Sequence, residues 1–133
     1  MRFQAWAPFL LLVAVPAAGA AIDWQRFQEQ DVIQILTTDE DGDPRETSVW
    51  VVTLDGNGYV RTNDSRWLAN IRRGSEVVLR LDSEEFPVAA RETDDPEITA
   101  RVEESFKEKY GFLQRVMSVF RTTEPTVLEL TAR

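Results

Sequence analysis

The stretch YVRTNDSRWLANIRRG, Tyr59 to Gly74, sets four arginines (Arg61, Arg66, Arg72 and Arg73) beside a single acid, Asp64, in a 133-residue chain whose formal net charge is -8. Its period changes part-way. Tyr59 to Thr62 reads as a short strand returning from the turn residues Asp55-Gly56-Asn57-Gly58. From Arg66 to Arg73 the apolar residues Trp67, Leu68 and Ile71 fall at helical spacing, with Asn63, Asp64 or Ser65 as the cap and Gly74 as the stop. A strand end that gives way to a helix start sets hydroxyl and amide side chains beside free backbone N–H groups, an arrangement that suits a phosphate or carboxylate. Arg61 and Arg66, one on each side, add fork-shaped donors. Spacing alone favours a plainer role, surface arginines neutralising nearby acids. Arg72 and Arg73 suit the negative end of the helix dipole and read as structural.

Working outward, Asp31 to Thr38 (DVIQILTT) is a β-rich apolar run and predicts the first strand, after a short helix capped by Asp23 with Trp24 and Phe27 on one face. Asp39 to Pro44 (DEDGDP) is a turn by composition. Thr47 to Leu54 (TSVWVVTL) is apolar on both faces and predicts one central or barrel-lining strand. After Gly74, Glu76 to Asp82 and Glu85 to Arg91 predict two strands about a turn at Ser83-Glu84, the second placed at an edge by Pro87. The period then becomes helical. Asp95 caps, Pro96 fits the first position, and Ile98, Val102 and Phe106 follow four apart, with the pairs Glu97–Arg101 and Glu103–Lys107 on the surface. Gly111 interrupts this helix, and Leu113, Val116, Met117 and Phe120 extend an apolar face beyond it. Pro125 ends it, and Thr126 to Thr131 predicts a closing strand. The expectation is an α+β, mainly β domain: a barrel of about six strands, a short helix after the third, and a helical pair before the last.

Composition excludes several chemistries. The chain has no His and no Cys. That removes Ser-His-Asp and Cys-His catalysis, His- or thiolate-ligated metals, haem held by His, and disulfides. A hydrophobic content of 43% supports a real core, and the acidic balance argues against nucleic acid as a partner.

The DEDGD run is no calcium loop. Counting from Asp39, Gly42 falls fourth rather than sixth, and Trp50, not Glu, stands twelfth. No metal is expected. Glu103, Glu104, Lys107, Glu108 and Lys109 read as a solvated helix face, and Trp50 and Trp67 as core residues before stacking platforms.

Residues 1–20 have the order of a secretory signal: Arg2, an apolar stretch from Ala5 to Val15, then the small residues Ala17-Ala18-Gly19-Ala20. Cleavage after Ala20 leaves a domain of residues 21–133 that works in the periplasm or outside the cell. An N-terminal membrane anchor is the alternative, because Ala5 to Ile22 is an uncharged run of 18 residues. No other membrane contact is expected.

GDPRETSVWVV, the following turn, YVRTNDSRWLANIRR and GSEVVLRL, taken in that order, resemble the core of the pyridoxamine-phosphate-oxidase-like split β-barrels, a superfamily of flavin and deazaflavin binders. EKYG, Glu108 to Gly111, with the helix and strand that follow, resembles an uncharacterised small bacterial branch of it. The resemblance covers most of residues 21–133, and the order of elements carries it more than any one motif. It implies a split barrel that dimerises with FMN or a deazaflavin coenzyme at the subunit interface. Arg61, Thr62, Asn63, Ser65 and Arg66 occupy the places that hold the cofactor phosphate, and Trp67 lies beside them. Arg66 stands where relatives more often carry Lys. The implied activity is a flavin- or deazaflavin-dependent oxidoreduction of a small molecule, with no acid–base residue distinguishable. The alternative is a non-enzymatic extracytoplasmic barrel that has lost the cofactor and holds another small ligand.

Overall fold

The computed structural model describes the backbone of residues 21–119 and 124–133 and the side chains outside 112–123. The expected signal segment and Phe120 lie outside the described residues. The elements are α1 (Trp24–Gln28), β1 (Ile33–Thr38), β2 (Pro44–Val49), β3 (Val52–Leu54), β4 (Asn57–Thr62), α2 (Arg66–Arg72), β5 (Val77–Leu81), β6 (Glu84–Thr93), α3 (Pro96–Val119) and β7 (Thr126–Ala132).

The strands form one antiparallel sheet in the order β2-β1-β5-β6-β7-β4-β3. Only Trp50 and Val51 separate β2 from β3, yet the two stand at opposite ends of that order. The sheet must curl until its ends approach, which gives the expected split barrel. The strand count is seven rather than about six, because TSVWVVTL is not one strand. Its first half pairs with β1 and its second with β4. Val51 packs inside the barrel and Val52 outside it, so both faces of the run are apolar because the chain turns a corner between two cores.

The inner core holds Ile33, Ile35, Leu79, Val88, Val60, Leu128 and Leu130 from five strands, joined by Trp24 and Phe27 of α1 and by Trp67 and Leu68 of α2. The helix α1 lies against the start of β4, where a Cβ on Gly58 would fall 2.4 Å from Trp24 Cζ3. The helix α2 follows the end of β4. The outer core lies under α3, where Val102 and Phe106 meet Val52, Tyr59 and Val127.

Three local expectations change. Pro87 lies in β6, which is paired on both sides, rather than in an edge strand. It is tolerated because β7 reaches only Val88, and the Pro87 carbonyl, on the side of the missing N–H, accepts from the terminal Arg133 amide. The β5–β6 turn is centred on Asp82 (φ 57) and Ser83, with Glu84 already paired to Leu81. One member of each pair expected along α3 also takes a tertiary partner, with Glu97 still acting on Arg101 through its field. Arg101 grips Asp55 of the β3–β4 turn at 2.8 and 3.1 Å, and Glu103 meets Arg61 of β4. Asp95 caps α3 as expected, and Gly111 (φ 56) breaks its helical geometry.

Candidate functional site

The end of β4 alternates its side chains across the barrel wall. Tyr59 and Arg61 point outward under α3, whereas Val60 and Thr62 point toward the barrel interior and its rim. Thr62 Oγ1 lies 2.8 Å from the Asn63 carbonyl and 3.1 Å from Ser65 Oγ. Ser65, among the three candidate caps, takes the role and accepts from the Leu68 N–H at 3.2 Å. Asn63 and Asp64 are exposed.

The two arginines part company. Arg61 donates to Glu103 Oε1 at 2.6 Å, its guanidinium lies 4.0 Å from the Phe106 ring centroid, and its side chain is only 9% exposed. It fastens β4 to α3. Arg66 is exposed, makes no hydrogen bond or ion pair among the described residues, and acts on Asp39 only through its field. Trp67 sits in the inner core, 4% exposed, with no face open to a ring. Of the residues carried over by resemblance, the structure therefore groups Thr62, Asn63, Ser65 and Arg66 at one rim. It turns Arg61 outward and Trp67 inward.

Arg66 opens onto a cleft of about 570 Å³ between α2 and the β1–β2 turn, with Ala69, Asn70, Arg73, Asp39, Glu40 and Asp41. Asn70, almost fully buried, organises this corner. Its amide donates to Thr37 Oγ1 at 3.0 Å and Asp39 Oδ1 at 2.8 Å, and its carbonyl accepts from Arg73. Arg45 holds Asp39 from the other side at 2.7 and 3.0 Å. Those two donors, Arg45 first and then Asn70, pull the Asp39 carboxyl down to about 2. Sequence reasoning read Asp39 as a turn residue and Arg73 as a dipole partner. The spacing of Arg66, Asn70 and Arg73, four and then three apart, was the available signal that they share a helix face. A second cleft, about 640 Å³, lies between the end of β6, the start of β7 and α3, with Glu92, Asp94, Glu103 and Glu124 in its wall. No Lys or Arg lines it among the described residues, whereas Arg66 and Arg73 stand beside the three acids of the first cleft.

A sequence-family model describing uncharacterized proteins conserved in bacteria, DUF2255, matches residues 23–130. The chain belongs to this family. No curated protein matches the sequence. Solved structures place this family member's fold among the pyridoxamine-phosphate-oxidase-like split barrels. A conserved hypothetical protein from Mycobacterium tuberculosis superposes with a TM-score of 0.66 at 22% identity, over 82% of this chain and 77% of its own. The heme storage protein HutZ from Vibrio cholerae gives 0.65 at 17% identity, over 82% and 86%. An F420-H2-dependent reductase gives 0.60 at 16% identity, over 76% and 94%.

Proposed function

We propose that this protein is an exported, homodimeric split barrel that binds a flavin or deazaflavin coenzyme, with the anionic arm of the coenzyme at the β4–α2 rim. The observation that carries this reading is Arg66: an exposed guanidinium with no hydrogen-bonded carboxylate among the described residues, a few residues along the chain from Thr62, Asn63 and Ser65, and opening onto a cleft that Asn70 and Arg73 also line. Arg66 and the three residues before it fit a phosphate: Arg66 offers a bidentate cation, Asn63 an amide and Ser65 a hydroxyl proton, and the Thr62 hydroxyl, given to the Asn63 carbonyl and Ser65 Oγ, turns to the phosphate only by leaving them. Arg61 and Trp67 do not fit, since one is committed to Glu103 and the other to the core. The fold supports the reading through its likeness to an F420-H2-dependent reductase. A cross-strand row of Leu36, Val78 and Pro87 on the outer face of β1, β5 and β6, half-buried or exposed, supports the homodimer.

When bound, a flavin-type coenzyme supplies the hydride or electron transfer to a small molecule. The chain's own part is to neutralise the phosphate with Arg66, to orient it through Thr62 and Asn63, and to keep the rim rigid through the Ser65 cap and the Asn70 corner. The alternative, a ligand-storing barrel without catalysis, is favoured by the loss of Arg61 and Trp67 from the site and by the fold's likeness to a heme storage protein.

Titration of the protein (residues 21–133) with FMN and, separately, coenzyme F420, followed by fluorescence, tests the proposal. Saturable binding that weakens about tenfold or more in Arg66→Ala, the loss expected for a charge-assisted contact, supports it. Absence of binding to either by folded protein refutes the cofactor and leaves the ligand-storing reading.

A further inference from the structure

The sheet order leaves β3 with one side unpaired. Along Val51–Thr53, three outward backbone groups, the Val51 N–H and carbonyl and the Thr53 N–H, are nevertheless met by side chains. Gln28 Oε1 accepts from the Thr53 N–H at 3.0 Å and lies 3.2 Å from the Thr53 hydroxyl. The Tyr110 hydroxyl accepts from the Val51 N–H at 3.1 Å and reaches the Asp31 carbonyl at 2.8 Å. Lys109 Nζ donates to the Val51 carbonyl at 2.6 Å and the Phe27 carbonyl at 3.2 Å. Val51 and Thr53 are two apart, so their outward groups are the successive rungs that an added strand would use.

We infer that Gln28, Lys109 and Tyr110 act together as a side-chain substitute for an eighth strand, blocking a second copy of this chain from pairing along Val51–Thr53. Three features carry this. The cover comes from two helices far apart in sequence, α1 and α3, and matches the edge donor for acceptor. One of its members is a lysine whose ammonium lies along the edge, a device that penalises an incoming strand by burying a charge. The flanking Trp50 and Leu54 are half-buried apolar residues, well suited to cross-strand contact once the cover is gone. A second copy is the fitting occupant because antiparallel pairing about a two-fold axis presents the same segment to itself.

The test compares the protein of residues 21–133 with a Gln28→Leu/Lys109→Met/Tyr110→Phe variant, which removes both amide acceptors and the lysine, by residue-resolved amide exchange and by sedimentation across a wide range of concentration. In dilute solution the variant's Val51 and Thr53 amides exchange about tenfold faster or more, as expected of edge amides that trade a protein acceptor for water. At high concentration it doubles in mass relative to wild type, and protection at both amides returns. Exchange unchanged from wild type overturns the cover. Faster exchange without added association overturns the blocking role. Circular dichroism establishes that the variant is folded. If it is not, Gln28→Ala carries the same comparison at Thr53 alone.

Discussion

Arg61→Ala separates the arginine that holds the fold from Arg66, to which the proposed function gives the ligand. The Arg61 side chain is 9% exposed, its Glu103 partner 26%, and they meet at 2.6 Å over the Phe106 ring. Removing one member of a buried pair costs about 3–5 kcal/mol, mostly by leaving its partner's charge poorly compensated. Glu103 retains some solvent, so the lower end applies, about 3 kcal/mol. At about 4 °C per kcal/mol for a domain of this size, the melting temperature falls by about 12 °C. Arg61→Met combined with Glu103→Leu replaces the pair with apolar side chains and stays within about 1 kcal/mol of wild type. Arg66→Ala, at an exposed site with no hydrogen bond or ion pair among the described residues, shifts stability by less than about 0.5 kcal/mol and, on the proposed function, weakens coenzyme binding. Thermal unfolding followed by circular dichroism, with urea midpoints to convert temperatures into free energies, reads all four proteins. An Arg61→Ala variant that melts within about 2 °C of wild type yet loses coenzyme refutes the division of labour.

Two further outcomes follow from the packing and the titrating groups. Gly58→Ala drives a Cβ to 2.4 Å from Trp24, so α1 must shift. A urea titration should show a loss of about 1–3 kcal/mol, and Trp24→Leu in the same chain should recover part of it. Stability should also pass through a maximum near pH 10. Burial lowers Lys109 from 10.5 to about 8, so between those values the unfolded chain binds a proton that the folded one does not, and stability rises with pH. Burial raises Tyr59 and Tyr110 from 10.0 to about 12, so above pH 10 the folded chain retains protons that the unfolded one has released, and stability falls. Urea midpoints from pH 7 to 12 check this, and Lys109→Met should flatten the rising limb.

Much of the fold was legible because it rests on local chemistry. Alternating apolar residues in DVIQILTT and TVLELT, the Asp95-Pro96 helix start, the Asp55-Gly56 turn and the Ser65 cap each act within a few residues of themselves. Their order gave the resemblance to split barrels and placed Thr62, Asn63, Ser65 and Arg66 at one strand end. What stayed hidden depends on which surface a side chain faces after the chain has travelled. Arg61 and Arg66 are alike in sequence, five residues apart, yet strand alternation sends Arg61 under α3 to a glutamate 42 positions away, while the α2 turn leaves Arg66 in water. Trp67 reads as core from its size and as a neighbour of the phosphate from the resemblance, and its place in the inner core agrees with the first. Lys109 reads as part of a solvated charged helix face, and Tyr110 carries no role of its own, until the corner at Trp50–Val51 brings an unpaired strand edge beneath them. The sequence by itself determined the elements, their caps and their order, since these follow from short-range propensity and period. The tertiary structure alone decided which charges meet carboxylates, which meet backbone and which remain open to a ligand, because those partners lie tens of residues apart and only the curled sheet makes them neighbours.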